Sequence, residues 1–422
     1  MGYGTPARNR DWRRFLADTD RAYAEELYAY LRDELKVKAP ICDTQISYGR
    51  LAGFYREQNM DYTDAHGYWQ HPEFPGRPFD FHNWFIGNTA QIDVMHEPEN
   101  KSLLRDLALM RVAGKPYIIS EFDHPSPNDY AAEMLATTAA FASLQDWDGI
   151  VLFCLSENPE VPKIDLWFDS THPGKFGFLP QAALMFRTGA FPASEKRSQL
   201  SFPQDMWLDE NLHAANAWQM AAGGAPMPDV LRQQVAVSDK FLPPDAAPKT
   251  ATGTQASPRA GQTDSEITVK PNPDAPGNIF RAHSGASAVL VGRVKEATAG
   301  ALTISKVVTD GGFVSASAVA MDVKPFKDSR RILFTIANRF ENVGMKWNAE
   351  RTSVGNDWGT GPIIAAGVNA EVALAVPAGG WKVYALDAHG HRREEVSAKY
   401  AGEKLVFEVK GEHEAIWYEI VR

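Results

Sequence analysis

Apolar residues recur at three- and four-residue steps over 11–35, where Trp12, Phe15, Leu16, Tyr23, Leu27, Tyr30, Leu31 and Leu35 are separated by Arg, Asp and Glu. That period predicts a long amphipathic helix. The pattern then changes. Four short runs, 39–47, 60–68, 117–122 and 149–155, are rich in apolar and β-branched residues and are bounded by Gly, Pro or polar turns, as strands are. Helical periods over 103–112, 129–144 and 179–188, and a short one through Phe54, fall between or after them. Strands alternating with helices predict βαβ units and a parallel sheet. An eight-stranded barrel usually takes about 250 residues. The α/β part, 1–193, is therefore expected to be half of a TIM-type βα barrel of about four units.

From 194 to 264 the pattern weakens into a linker, with short helices expected at 209–222 and 229–239 and a Pro-, Ala- and Thr-rich strap over 241–260. After 265 the character is all-β. Runs at 288–294, 331–338, 371–376, 381–386, 405–409 and 415–420, separated by Gly, Asp and Asn turns, predict a β-sandwich over 265–422. The fold class expected is thus α/β followed by all-β. The stretch 73–101 carries Pro, Asn and aromatics without a clear period, and loops that long are usually functional or mobile.

Composition narrows the partners. Hydrophobic residues at 44% and charged residues at 23% describe a globular protein. A net charge of −10 with no basic block argues against a nucleic-acid partner. No apolar run reaches the ~20 residues of a membrane-crossing helix, so no membrane partner is expected. The N-terminus shows no signal-peptide core, so the chain is expected to be cytoplasmic or to have been supplied without its leader. Cys42 and Cys154 fall inside expected strands, far apart, and read as buried free thiols.

The candidate chemistry gathers around Gly-Lys-Pro-Tyr-Ile-Ile-Ser-Glu-Phe-Asp-His, residues 114–124. The apolar run ends in Glu121, and in a parallel α/β sheet the site lies at the carboxyl ends of the strands. A helix cap or solvated loop acid is the plain alternative. The 60–68 strand delivers His66, Tyr68, Trp69 and His71 to the same end, and the fourth strand runs into Ser156-Glu157-Asn158. Aromatic rings, imidazoles and carboxylates on one rim suit a sugar polymer, although Trp69 and Trp84 could equally fill a core and His71, His124 and Glu97 could line a solvated rim. Retaining glycosidases need two carboxyls about 5–5.5 Å apart. Glu121 is the expected nucleophile, with His66 and Tyr68 orienting it. No metal site is expected, because His66, His71, His96, Asp123 and His124 lack closely spaced ligand pairs. No cofactor is implied, and no G-x-S-x-G elbow supports a serine hydrolase.

Three stretches resemble the large clan of retaining glycoside hydrolases with (β/α)8 barrels, which includes cellulases, mannanases and β-galactosidases. Lys115-Pro116-Tyr117-Ile118-Ile119-Ser120-Glu121-Phe122 is similar to that clan's seventh strand, which ends in the nucleophile. Asp64-Ala65-His66-Gly67-Tyr68-Trp69 resembles the sixth, with its His-x-Tyr pair. Residues 147–155, followed by 179–187, resemble the eighth strand and closing helix, and 342–347 through 415–419 resemble the β-sandwich that follows such barrels. The resemblance implies hydrolysis of a β-linked glucan or related polysaccharide, with substrate contacts from His66, Tyr68, Trp69, Trp84, His71 and His124.

The chain departs from that pattern in its first half. The clan's acid/base Glu follows an Asn at the end of the fourth strand, and the helix at 11–35 would correspond to the one after that strand. The first four strands would then precede Met1, leaving Glu157 and Glu97 as substitute acids. Two consequences are expected: a homodimer or higher oligomer that pairs the open sheet edges, and a non-standard acid from Glu157, Glu97 or the partner chain. The competing reading is a non-catalytic carbohydrate-binding protein derived from a truncated glycosidase.

Overall fold

The computed structural model describes residues 4–96, 101–155, 163–169, 171–208, 212–223, 227–254 and 265–422. It contains mixed helices and strands in several sheets, none closed into a barrel. Helix α1, Pro6–Ala29, starts at an N-cap Thr5 with Pro6 in its first turn and runs on into a π-helical turn, Tyr30–Glu34. Helix α2, Leu51–Glu57, leads to strand β1, Thr63–Tyr68. Next come helix α3, Leu103–Ala108, strand β2, Tyr117–Asp123, helix α4, Glu133–Leu144, and strand β3, Gly149–Leu152. Helices α5, Pro173–Phe176, and α6, Leu179–Thr188, follow.

Strands β1, β2 and β3 form one parallel sheet in that order. The expected strand over 39–47 is absent. Pro40 has no N–H to give a ladder, and side chains take the neighbouring amides. Asp61 accepts from Ile41 N at 2.7 Å and Glu57 from Thr44 N at 3.4 Å. A 3₁₀ turn, Ile46–Gly49, ends the segment. Cys42 and Cys154 are free thiols as expected, but both lie outside the strands and are only half-buried.

One face of the sheet is covered by helices. Ala65, Tyr117, Ile119 and Phe122 are buried there, and a Cβ on Gly67 would lie 2.8 Å from a methyl of Leu107 in α3, so the strand needs glycine at that approach. Every residue of α4 is buried. Its small Ala, Thr and Ser side chains fit between this sheet and the β domain, and a helix without a polar face is a helix without solvent.

Residues 194–264 hold more than a linker. Strand β4, Lys196–Ser201, pairs with β5, Gln234–Val237, and β6, Lys249–Thr254, around helix α7, Ala214–Ala222. The stretch expected to be helical at 229–239 is instead a turn that leads into the β5 strand. Val237 is bonded to the α/β part by Ala113 N at 2.7 Å, which favours extended pairing over local helix.

The β domain matches the expected runs closely. An eight-stranded antiparallel sheet orders Arg392–Val396, Lys382–Leu386, Trp417–Val421, Arg331–Ala337, Phe313–Ala320, Ser287–Arg293, Asn278–His283 and Glu266–Pro271. A five-stranded sheet orders Ala297–Ala299, Leu302–Thr309, Val368–Ala375, Lys404–Val409 and Ala398–Ala401. Phe334 of the first meets Phe407 of the second edge-to-face at 5.9 Å, so the two sheets share a core. All eight residues of Phe313–Ala320 are buried because this strand is covered on both faces.

Candidate functional site

Glu121 sits where β2 breaks its register. Ala65 pairs with Ile119 but His66 pairs with Glu121, so Ser120 is an extra residue, and the β2–β3 pairing shifts at the same place. Such a bulge re-aims a side chain that strict alternation would have sent to the other face. Asp64, His66 and Tyr68 alternate on the face of β1 away from the helices, and the bulge brings Ser120 and Glu121 beside them.

The five side chains form one chain of contacts. Ser120 donates its backbone N–H to Asp64 Oδ1 at 2.9 Å and its hydroxyl to Asp64 Oδ2 at 2.6 Å. His66 Nε2 lies 3.0 Å from Ser120 Oγ, and His66 Nδ1 lies 3.3 Å from Glu121 Oε2. The Tyr68 hydroxyl donates to the same Oε2. Burial, then the hydrogen bond to Glu121 and its charge, pushes the Tyr68 phenol well above the usual tyrosine range, so it remains a donor. Among the described residues Oε1 of Glu121 is left without a protein partner, and the Glu121 side chain is 31% exposed. The arrangement holds one carboxylate oxygen and presents the other.

Aromatic rings border this carboxylate. Tyr68 packs against Phe153, Phe168 and His71 at 6.0, 4.9 and 5.5 Å between ring centres, and the exposed Tyr48 meets His66 edge-on at 6.2 Å. Behind the wall, the fully buried Lys175 ammonium on α5 reaches Asp123 Oδ1 at 2.7 Å. Burial draws the Asp123 carboxyl upward and Lys175 draws it back. This ion pair ties the end of β2 to α5.

His66, Tyr68, His71 and Glu121 therefore meet as expected, and three other expected contacts do not. Trp69 follows the opposite face of β1, and its indole donates to Thr89 O at 2.7 Å. Trp84 is 3% exposed, stacked on Trp358 and edge-on to Trp167 in an apolar cluster that also takes in Ile86, Ile164 and Val354. His124 is completely buried against Gln91, 3.3 Å away, and burial, reinforced by Lys175, holds its imidazole well below the ordinary histidine range. Trp84 and His124 are core residues, whereas Trp69 is half-buried on the other side of the strand. Glu97 and Glu157 lie outside the described residues.

Sequence reasoning missed Asp64, Ser120, Tyr48, Phe153 and Phe168. Asp64 was within reach, since it shares a strand face with His66 and Tyr68 two and four residues on. The other four depend on the bulge or on loops.

Among the described residues, the group close enough for a metal site is Asp387, His389 and His391 in a hairpin turn of the β domain, with ligand atoms within 4.8 Å of one another. A cavity of about 610 Å³ lies between α5 and the β domain, lined by Phe176, Ile336, Phe340, Ile364, Lys410 and Trp417. None of the Glu121 contacts lines it, so this cavity and the Glu121 cluster are separate places. The chemistry decides for Glu121. Among the described residues, no helix is long and apolar enough to cross a membrane.

Compared with known proteins, the chain matches no family model, and no curated protein matches it.

Proposed function

We propose that the protein is a glycoside hydrolase acting on a β-linked glucan or related polysaccharide by retention, with Glu121 as nucleophile. The observation that carries this reading is the half-held carboxylate: Oε2 engaged by Tyr68 and His66, Oε1 presented at the carboxyl end of a parallel strand beside aromatic rings. In such a reaction Oε1 attacks the anomeric carbon as the glycosidic C–O bond breaks and the leaving oxygen takes a proton from the second carboxyl; water, giving its proton back to that carboxyl, then cleaves the glycosyl ester and frees Glu121. Tyr68 and His66 stabilise the charge that the carboxylate loses and regains. His71 and Tyr48 offer ring faces and polar atoms to the sugar. Three parallel strands with helices on one face and polar side chains on the other are the basis for reading the α/β part as a half barrel. The second carboxyl, the acid, is assigned to Glu157 or Glu97.

A second reading, a carbohydrate-binding protein without turnover, draws support from one fact. Among the described residues the other carboxylate of the network is Asp64, and both its oxygens already accept from Ser120. Aryl β-glycosides and soluble glucans assayed with the wild type and Glu121→Gln separate the readings. Turnover lost in the variant supports the enzyme, and binding without turnover in the wild type supports the binder. Undiminished turnover in Glu121→Gln ends the assignment.

A further inference from the structure

Helix α1 is amphipathic, but its apolar side faces away from the molecule. At about 100° per residue, the side chains that touch the body share one side. Arg13 Nε donates to Leu208 O at 2.7 Å, Asp18 accepts from the Tyr55 hydroxyl at 3.0 Å, and Asp20 pairs with Arg56 at 2.9 Å. The Tyr28 hydroxyl donates to Asp61 at 2.8 Å, and Ala24 is the one buried residue of the helix. Trp12, Phe15, Leu16, Tyr23, Leu27 and Tyr30 lie roughly 150° away, all exposed, from 41% for Leu27 to 60% for Tyr23. Polar contacts hold the helix down and its hydrophobic stripe is uncovered. That inverts the usual order, and a stripe of this size marks an interaction surface.

We propose that this face is an interface with a second copy of the same chain, the two α1 helices packing antiparallel across a two-fold axis. Charge selects the partner and its direction. On the uncovered side of the helix, at the same 100° step, Arg8 lies in the first turn, while Glu26, Asp33 and Glu34 lie toward the other end. Antiparallel packing sets each basic end on an acidic one, whereas parallel packing sets like on like. One register satisfies both patterns. With the axis between Thr19 and Tyr23, Trp12 faces Tyr30 of the second copy, Phe15 faces Leu27, Thr19 faces Tyr23 and Arg8 faces Glu34. An isologous interface needs this self-complementarity. At about 100 Å² for each half-exposed aromatic and somewhat less for each Leu, the stripe covers about 600 Å² per copy, approaching the ~800 Å² per partner of a standard interface. The contact runs through α1, not through the sheet edges, and does not depend on the reading of Glu121.

Multi-angle light scattering on the whole chain at micromolar concentration tests it. The expected result is a mass twice the 46.6 kDa of one chain. Tyr23→Lys, at an exposed position, should weaken the dimer at least about tenfold with an unchanged far-UV circular dichroism spectrum. Arg8→Glu should weaken it less, and Arg8→Glu with Glu34→Arg should restore it, because only antiparallel packing puts those two side chains together. A monomer at micromolar concentration overturns the proposal, as does a dimer that Tyr23→Lys leaves intact or a charge swap that fails to rescue.

Discussion

Glu133 provides a direct test of how dry the joint behind the site is. It heads α4, is completely buried, and accepts from Gln91 N at 2.5 Å and Ile92 N at 3.3 Å. His124 Nδ1 lies 3.9 Å away, and Asp93 and Arg293 act on it by charge alone. Burial is the largest influence and raises the carboxyl from an ordinary 4.5 to about 8, against the pull of the two amides. Between those two values the folded chain keeps a proton that the unfolded chain has lost. Stability is therefore highest below the lower value, falls as pH rises through the window, and levels off above the upper one. At about 1.4 kcal/mol per pH unit, the window corresponds to about 5 kcal/mol. Glu133→Gln keeps an oxygen acceptor and removes the titration. The assay is urea unfolding of both proteins between about pH 5 and pH 9. Other titrating groups, such as His124 and His172, both lowered by burial, are common to the two proteins and drop out of the difference. The variant should gain on the wild type by several kcal/mol across the range. A difference that stays flat would mean that Glu133 ionises as freely folded as unfolded, and that water reaches the top of α4.

Two further outcomes follow from contacts around the cleft. Lys175→Met leaves Asp123 without its buried partner and should cost about 3–5 kcal/mol in chemical denaturation, most of it recovered when Asp123→Asn is added; a double variant no better than the single would show that the pair is not coupled. Tyr68→Phe keeps the ring against Phe153 and Phe168 but removes the donor to Glu121, and should lower kcat/KM on aryl β-glycosides by about 10–100-fold. Unchanged kinetics would take Tyr68 out of the site.

Local pattern carried most of the architecture. Helix α6 was expected and found over 179–188, the β1 and β3 strands lie inside their expected runs and β2 exceeds its run by one residue, and the six runs expected in the β domain each overlap a strand. Those elements state their own solvent exposure through period and breakers, so a short window suffices to recognise them. Where the expectation failed, the deciding partner was distant. The 39–47 segment is apolar enough for a strand, but Asp61 and Glu57 satisfy its amides. Within 229–239, residues 234–237 pair with β4 instead of coiling.

The same division holds for the cleft. Residue types and the alternation along β1 were sufficient to put His66 and Tyr68 together and to place Glu121 at a strand end. Tertiary structure alone decided that Ser120 bulges and turns Glu121 toward them, because a register shift is a property of two strands and not of one. It also buried His124 beneath Gln91 and Trp84 beneath Trp358, residues that one-dimensional pattern cannot distinguish from a sugar-binding rim. Periodicity along 11–35 likewise announced an apolar stripe without saying which way it would face. The sequence states which side chains avoid water; only the folded chain determines what covers them.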